Sequence, residues 1–165
     1  MDLSTLDILP DWDDDRFKRD RTSEGDEWKT NEADAIAKKM YQQWREVFNM
    51  VYAYAENLSS DEEDEATNGT TVKDLIYQNI MLIAPKILSA ARIDSYVIKM
   101  ENAAVIRHNC KEMMDQVSVA VMLGIADAQH EEVIEEAVAT FRELFKQWVA
   151  TFKKDDYEDE WGLFL

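Results

Sequence analysis

The sequence predicts an all-α protein: a single four-helix up-down-up-down bundle with an N-terminal arm and a short apolar C-terminal tail. Three observations carry this. Apolar residues recur at spacings of three and four in four successive blocks, the period of a helix that buries one face. Only four Gly and two Pro occur in 165 residues, too few for a turn-rich β protein. Hydrophobic residues make up 46% of the chain, with five Trp, six Tyr and six Phe, enough to fill one core. The domain limits that follow are an arm at 1–30, the bundle at 31–153 and a tail at 154–165.

The arm mixes acids, bases and isolated aromatics (Trp12, Phe17, Trp28) with no helical or strand period. The first helix is expected after Thr30 and Asn31, both good N-cap residues. Its stripe is Ile36, Ala37, Met40, Tyr41, Trp44, Val47, Phe48, Val51 and Tyr52, with Lys38, Gln42, Arg45, Glu46 and Asn49 opposite. Ser59 to Thr70 is a loop by composition, with Asn68-Gly69 as its turn signal. Thr71, with Asp74 three residues on, caps the second helix, and Pro85 is expected to kink it. That helix is apolar on its back as well: Ile80, Met81, Ala84 and Leu88 lie off its main stripe and call for a cover.

Without a break, residues 72–123 would form one rod of roughly 78 Å at 1.5 Å per residue, so a tight turn is expected near Asp94-Ser95. The third helix runs to Leu123, stopped by Gly124, and its inner stripe reads Tyr96, Met100, Ala103, Ile106, Cys110, Met114, Val117 and Val121. Asp127 caps the fourth, whose stripe is Val133, Ile134, Ala137, Val138, Phe141, Leu144, Phe145, Trp148 and Phe152. An acidic run and then Trp161, Leu163 and Phe164 finish the chain. Folding this apolar patch back over the second helix is the favoured cover, and a second subunit the other.

The net charge of −17 argues against DNA or RNA as a direct ligand. Residues 1–31 contribute −5, Glu56 to Glu65 −6 and Asp155 to Glu160 −5, which leaves the helical body nearly neutral. The single cysteine, Cys110, excludes an internal disulfide. The first ten residues carry no basic residue and are not a signal peptide, and no apolar run approaches the ~20 residues of a membrane span. The cytoplasm is the expected location.

Three stretches resemble segments of small uncharacterised bacterial helical-bundle proteins with no assigned activity. They are Asp94-Ser-Tyr-Val-Ile-Lys-Met-Glu-Asn-Ala-Ala-Val-Ile-Arg107, Phe141-Arg-Glu-Leu-Phe-Lys-Gln-Trp-Val149 and Glu160-Trp-Gly-Leu-Phe164. The resemblance covers roughly the last seventy residues. It implies a helical bundle of bacterial origin and brings no catalytic residues.

No catalytic, nucleotide or metal motif stands out. A di-iron bundle needs Glu-x-x-His, which is absent; Asp127-Ala-Gln-His130 comes nearest, at a helix start where Asp caps. Glu101, His108, Glu112 and Asp115 share a face of the third helix, but one opposite its apolar stripe. HEPN-type ribonucleases resemble this chain in being helical bundles, but their Arg and His are separated, whereas Arg107 directly precedes His108. Cys110 reads as an inert core thiol. The residues that break the pattern are Lys86, Lys99 and Arg107, with Asn79: placed near inward faces, they are the candidate site for a small anion. The expected function is accordingly non-enzymatic, through a protein partner or self-association, with no cofactor or metal. An anion-binding protein or enzyme using the Lys/Arg cluster is the alternative, and a nucleic-acid-mimicking inhibitor the third.

Overall fold

The computed structural model describes residues 8–15, 27–58 and 71–164. Among the described residues four helices form the fold: α1 (Glu27–Glu56), α2 (Val72–Arg92), α3 (Tyr96–Met122) and α4 (Ala128–Ala150). Each packs against two others, α2 on α1 and α3, α4 on α1 and α3, so the four close a ring around one core. The packing is most extensive between α2 and α3 and least between α3 and α4. None of the described helices is long and apolar enough to cross a membrane.

α1 supplies the centre. Met40, Tyr41, Trp44, Val47, Phe48 and Val51 are all but fully buried, one face of a helix at the expected spacing. The helix begins at Glu27, so Thr30 and Asn31 lie inside it rather than at its start. Part of the arm docks across its outer side. Leu9 is buried, the Tyr41 hydroxyl donates to the Pro10 carbonyl at 2.5 Å, and the Trp12 ring lies 5.7 Å from that of Tyr41. Arg45 pairs with Asp11 and Lys38 with Asp14, both at 2.7 Å. Phe17 and the acidic loop at 59–70 lie outside the described residues.

α2 starts as expected, with the Asp74 N–H donating to the Thr71 hydroxyl at 3.2 Å. Its end is joined to α1's by Tyr77, which donates to Glu56 while Lys73 pairs with the same carboxylate at 3.0 Å. Its apolar back needs a different account from the one expected. Ile80 and Ala84 are fully buried and Leu88 half-buried, while Met81 stays 41% exposed. A helix clasped by two neighbours buries a wider arc than one stripe, so most of the supposed patch is core. The tail does not cover it: Trp161 is 80% and Leu163 48% exposed, Phe164 is half-buried, and none of the three packs on the core.

Residues 93–95 make the expected break. The Ser95 side chain makes no cap; instead the Tyr96 N–H donates to the Asp155 carboxylate at 2.9 Å, from beyond α4. At its other end α3 stops on Gly124 at φ +73°, with Gly124 N–H on the Val121 carbonyl and Ile125 N–H on that of Ala120. This paired pattern needs a residue with φ > 0, which glycine adopts without strain. Asp127 then caps α4, accepting the Gln129 N–H at 2.9 Å.

The buried face of α3 is turned from the expected one. Ala103, Ile106 and Val117 are inside as predicted, but so are Val97, Asn102, Asn109, Met113 and Ala120. Tyr96, Met100, Cys110, Met114 and Val121 are only half-buried. Asn102 and Asn109 tolerate burial because each donates its side-chain amide to the carbonyl four residues back, at 2.8 Å.

Candidate functional site

The rotation of α3 leaves an open groove of about 330 Å³ between α3 and α4. Its floor is Ile106, Cys110 and Met114 from α3 with Val138, Phe141 and Phe145 from α4. Cys110 and Met114 are two of the residues whose spacing had placed them in the core. Of this floor Cys110, Met114 and Phe145 are half-covered, while Ile106, Val138 and Phe141 are buried.

Its position follows from what each wall is tied to. α4 is held to α1: Phe141 packs on Trp44 with ring centroids 5.2 Å apart, and the Gln43 amide donates to the Ala137 carbonyl at 3.2 Å. α3 is held to α2, and to α1 through the buried Tyr54 hydroxyl, which donates to the Val117 carbonyl at 2.9 Å. With both walls anchored elsewhere, their own packing is the least extensive of the four seams.

The rim is divided by sign. The Ser118 hydroxyl donates to Glu131 across the seam, which sets the register of two helices joined by five residues. Carrying that register along an antiparallel pair sets Arg107 level with Arg142, Lys111 level with Val138, and Asp115 beside Glu135. All of these line the groove. One end is therefore basic (Arg107, Lys111, Arg142) and the other acidic (Asp115, Glu131, Glu135). Like faces like at both ends. Arg107, Lys111, Arg142, Asp115 and Glu135 make no ion pair among the described residues. Exposed like charges repel by no more than about 1 kcal/mol at 4 Å in water, so repulsion alone does not part the helices. It does deny the seam the cross-bridges that would zip it.

Burial pushes the Cys110 thiol up to about 11 against a small opposing effect of Arg142, so it stays protonated at neutral pH. The groove thus offers an apolar floor with charged side chains along its rim. Among the described residues no group of three His, Cys, Asp or Glu is placed to hold a metal ion.

The candidate anion cluster does not assemble. Arg107 lines the groove, whereas the Lys99 ammonium lies 5.8 Å over the Phe152 ring beyond the end of α4. Lys86 is half-buried on α2 and lines neither site, and Asn79 donates to the Leu75 carbonyl of its own helix. Helix-wheel placement put the three cations on similar faces; the fold gives α3 two different neighbours and separates them. Arg107 instead shares the groove with Lys111 and Arg142, which the sequence pattern had not singled out. Their signal was present in the sequence: once a turn is fixed at 123–127, pairing residues outward from it brings Arg107 opposite Arg142.

A second recess, of about 700 Å³, lies at the end of the bundle between Met50, Tyr54, His130 and Val133. Its one acid, Asp127, is engaged in capping α4. Comparison with known proteins adds nothing to this geometry: no family model, no curated protein and no solved structure matches the chain.

Proposed function

We propose that this chain is a non-enzymatic binding protein that receives a short acidic, aromatic-bearing segment of a protein partner in the α3–α4 groove. The observation that supports this reading is a half-covered apolar floor beneath unpaired charges sorted by sign. Each large apolar side chain seated on that floor gains about 1.5–3 kcal/mol from burial before ordering costs. Carboxylates beside it reach Arg107 and Arg142, whose forked guanidinium groups bind them through paired, charge-assisted hydrogen bonds. Asp115 and Glu135 repel the same carboxylates from the opposite end, which fixes the direction in which a segment lies. The volume suits one or two large side chains rather than a whole helix. A cytoplasmic setting, for a bacterial chain with one free cysteine, belongs to the same proposal. Nothing in the geometry favours the small-anion reading over this one.

The test is a titration by fluorescence anisotropy with two labelled synthetic peptides. One carries three carboxylates beside a single Trp, and the other has lysines in place of the carboxylates. The acidic peptide is expected to bind, more weakly as salt rises, and to be lost on Arg142→Glu. Equal binding of both peptides, or binding indifferent to Arg142→Glu, sinks the reading.

A further inference from the structure

We infer that the groove's ligand is carried by the chain itself: the segment following α4 in one copy docks in the α3–α4 groove of another. This rests on the proposed function of the groove. Trp161 is 80% exposed, yet its backbone is held. The Asp159 carboxylate accepts the Trp161 N–H at 3.2 Å and the Leu163 N–H at 3.4 Å, and the Gly162 N–H donates to the Asp159 carbonyl at 2.9 Å. Phe164 sits at φ 60°, a conformation that costs an L-residue energy. Further back, Asp155 is bonded to the start of α3. An indole presented to water on an ordered turn is preorganised for a pocket elsewhere, because little freedom remains to be lost on docking.

Charge supplies the match. Asp156, Glu158 and Glu160 are exposed beside Trp161, and the groove sets three unpaired cations next to an apolar floor of one-indole size. Seating Trp161 on the floor beside Cys110 brings Glu158 and Glu160 within reach of the basic end. Groove and segment are different surfaces, so the contact is heterologous: two copies exchange segments around a twofold axis, or copies add head to tail.

The experiment is light scattering over a concentration series, on the whole chain and two surface variants checked for helicity by circular dichroism. Wild type is expected to associate as concentration rises. Trp161→Ala, which lacks the anchor, and Arg142→Glu, which lacks the receiving cation, should each be monomeric. An equal mixture of the two holds one intact groove and one intact segment per pair, and should stop at a dimer. A synthetic peptide of residues 154–165 should dissociate the wild type. A monomeric wild type, variants that associate as it does, or a mixture that stays monomeric overturns the inference. If the acidic test peptide still binds the groove in that event, only the self-association fails. If it does not bind either, the groove's proposed function fails with it.

Discussion

α3 meets α2 on one flank and α4 on the other, and the two seams could hardly differ more. Toward α2 the meeting is continuous: Ile76, Ile80, Ile83, Ile87 and Ala90 of α2 are all fully buried, and only residues 93–95 separate the helices. Toward α4 the same helix offers Cys110 and Met114 half-covered, with Arg107 and Arg142 lining the same groove. The difference does not lie in the supply of apolar residues, since both flanks have them. It lies in what else the partner helix is bound to: α4 is tied to α1 through Phe141 and Gln43.

Truncating side chains on each flank gives the largest contrast. Ile87→Ala, at a fully buried position of α2, is expected to cost about 2–5 kcal/mol in denaturant unfolding. Phe145→Ala, on the half-open groove floor, should cost half or less of the ~3–5 kcal/mol of a fully buried Phe. Equal losses would mean that the groove is closed in solution.

Tyr54→Phe comes next. It removes the donor to the Val117 carbonyl that ties α1 to α3, at about 0.5–1.5 kcal/mol. The same residue gives a signature in pH. Burial, and then Glu131, raise the Tyr54 hydroxyl from 10.0 to about 12, and burial raises the Cys110 thiol from 9.0 to about 11. In both cases the unfolded chain releases its proton first as pH rises, so the folded state binds more protons and stability falls with pH. The loss should run between pH 9 and 11 for Cys110 and between 10 and 12 for Tyr54. Cys110→Ser should flatten the lower part of that decline and Tyr54→Phe the upper. Thermal melts across this range decide it.

Reversing one rim charge is a smaller change. Arg142→Glu sets an acid opposite Arg107, and the new exposed pair should raise stability by about 0.2–1 kcal/mol while narrowing the groove. A lowered melting temperature would mean that the two arginines do not face each other. The smallest expected effect is at the arm. Asp11→Ala with Asp14→Ala removes two surface ion pairs from α1, for less than about 1 kcal/mol per pair.

Much of this was legible in the residues themselves. The cap at Thr71, the stop at Gly124, the cap at Asp127 and the break before Tyr96 are local, each decided by a few neighbouring atoms, and each stands where the pattern puts it. The misplacements are all of one kind. Thr30 and Asn31 fit the N-cap preference but lie within α1. Asn102 and Asn109, which the inner stripe left out, are buried, each with its amide satisfied on its own helix. The tail was expected on Ile80 and Ala84, which α2 already buries among its neighbours. In each case a tertiary arrangement decided against a one-helix reading, and the groove is the largest such case: a wheel drawn for α3 alone holds no information about α4.

The bond between Asp155 and Tyr96 also has a consequence in time. A helix usually carries its own cap, so that its first turn is finished as soon as it is made. α3 instead draws its cap from 59 positions downstream. At a synthesis rate of roughly 5–20 residues per second, Asp155 is made several seconds after Tyr96, so the first turn of α3 gains this partner only once α4 has been synthesised.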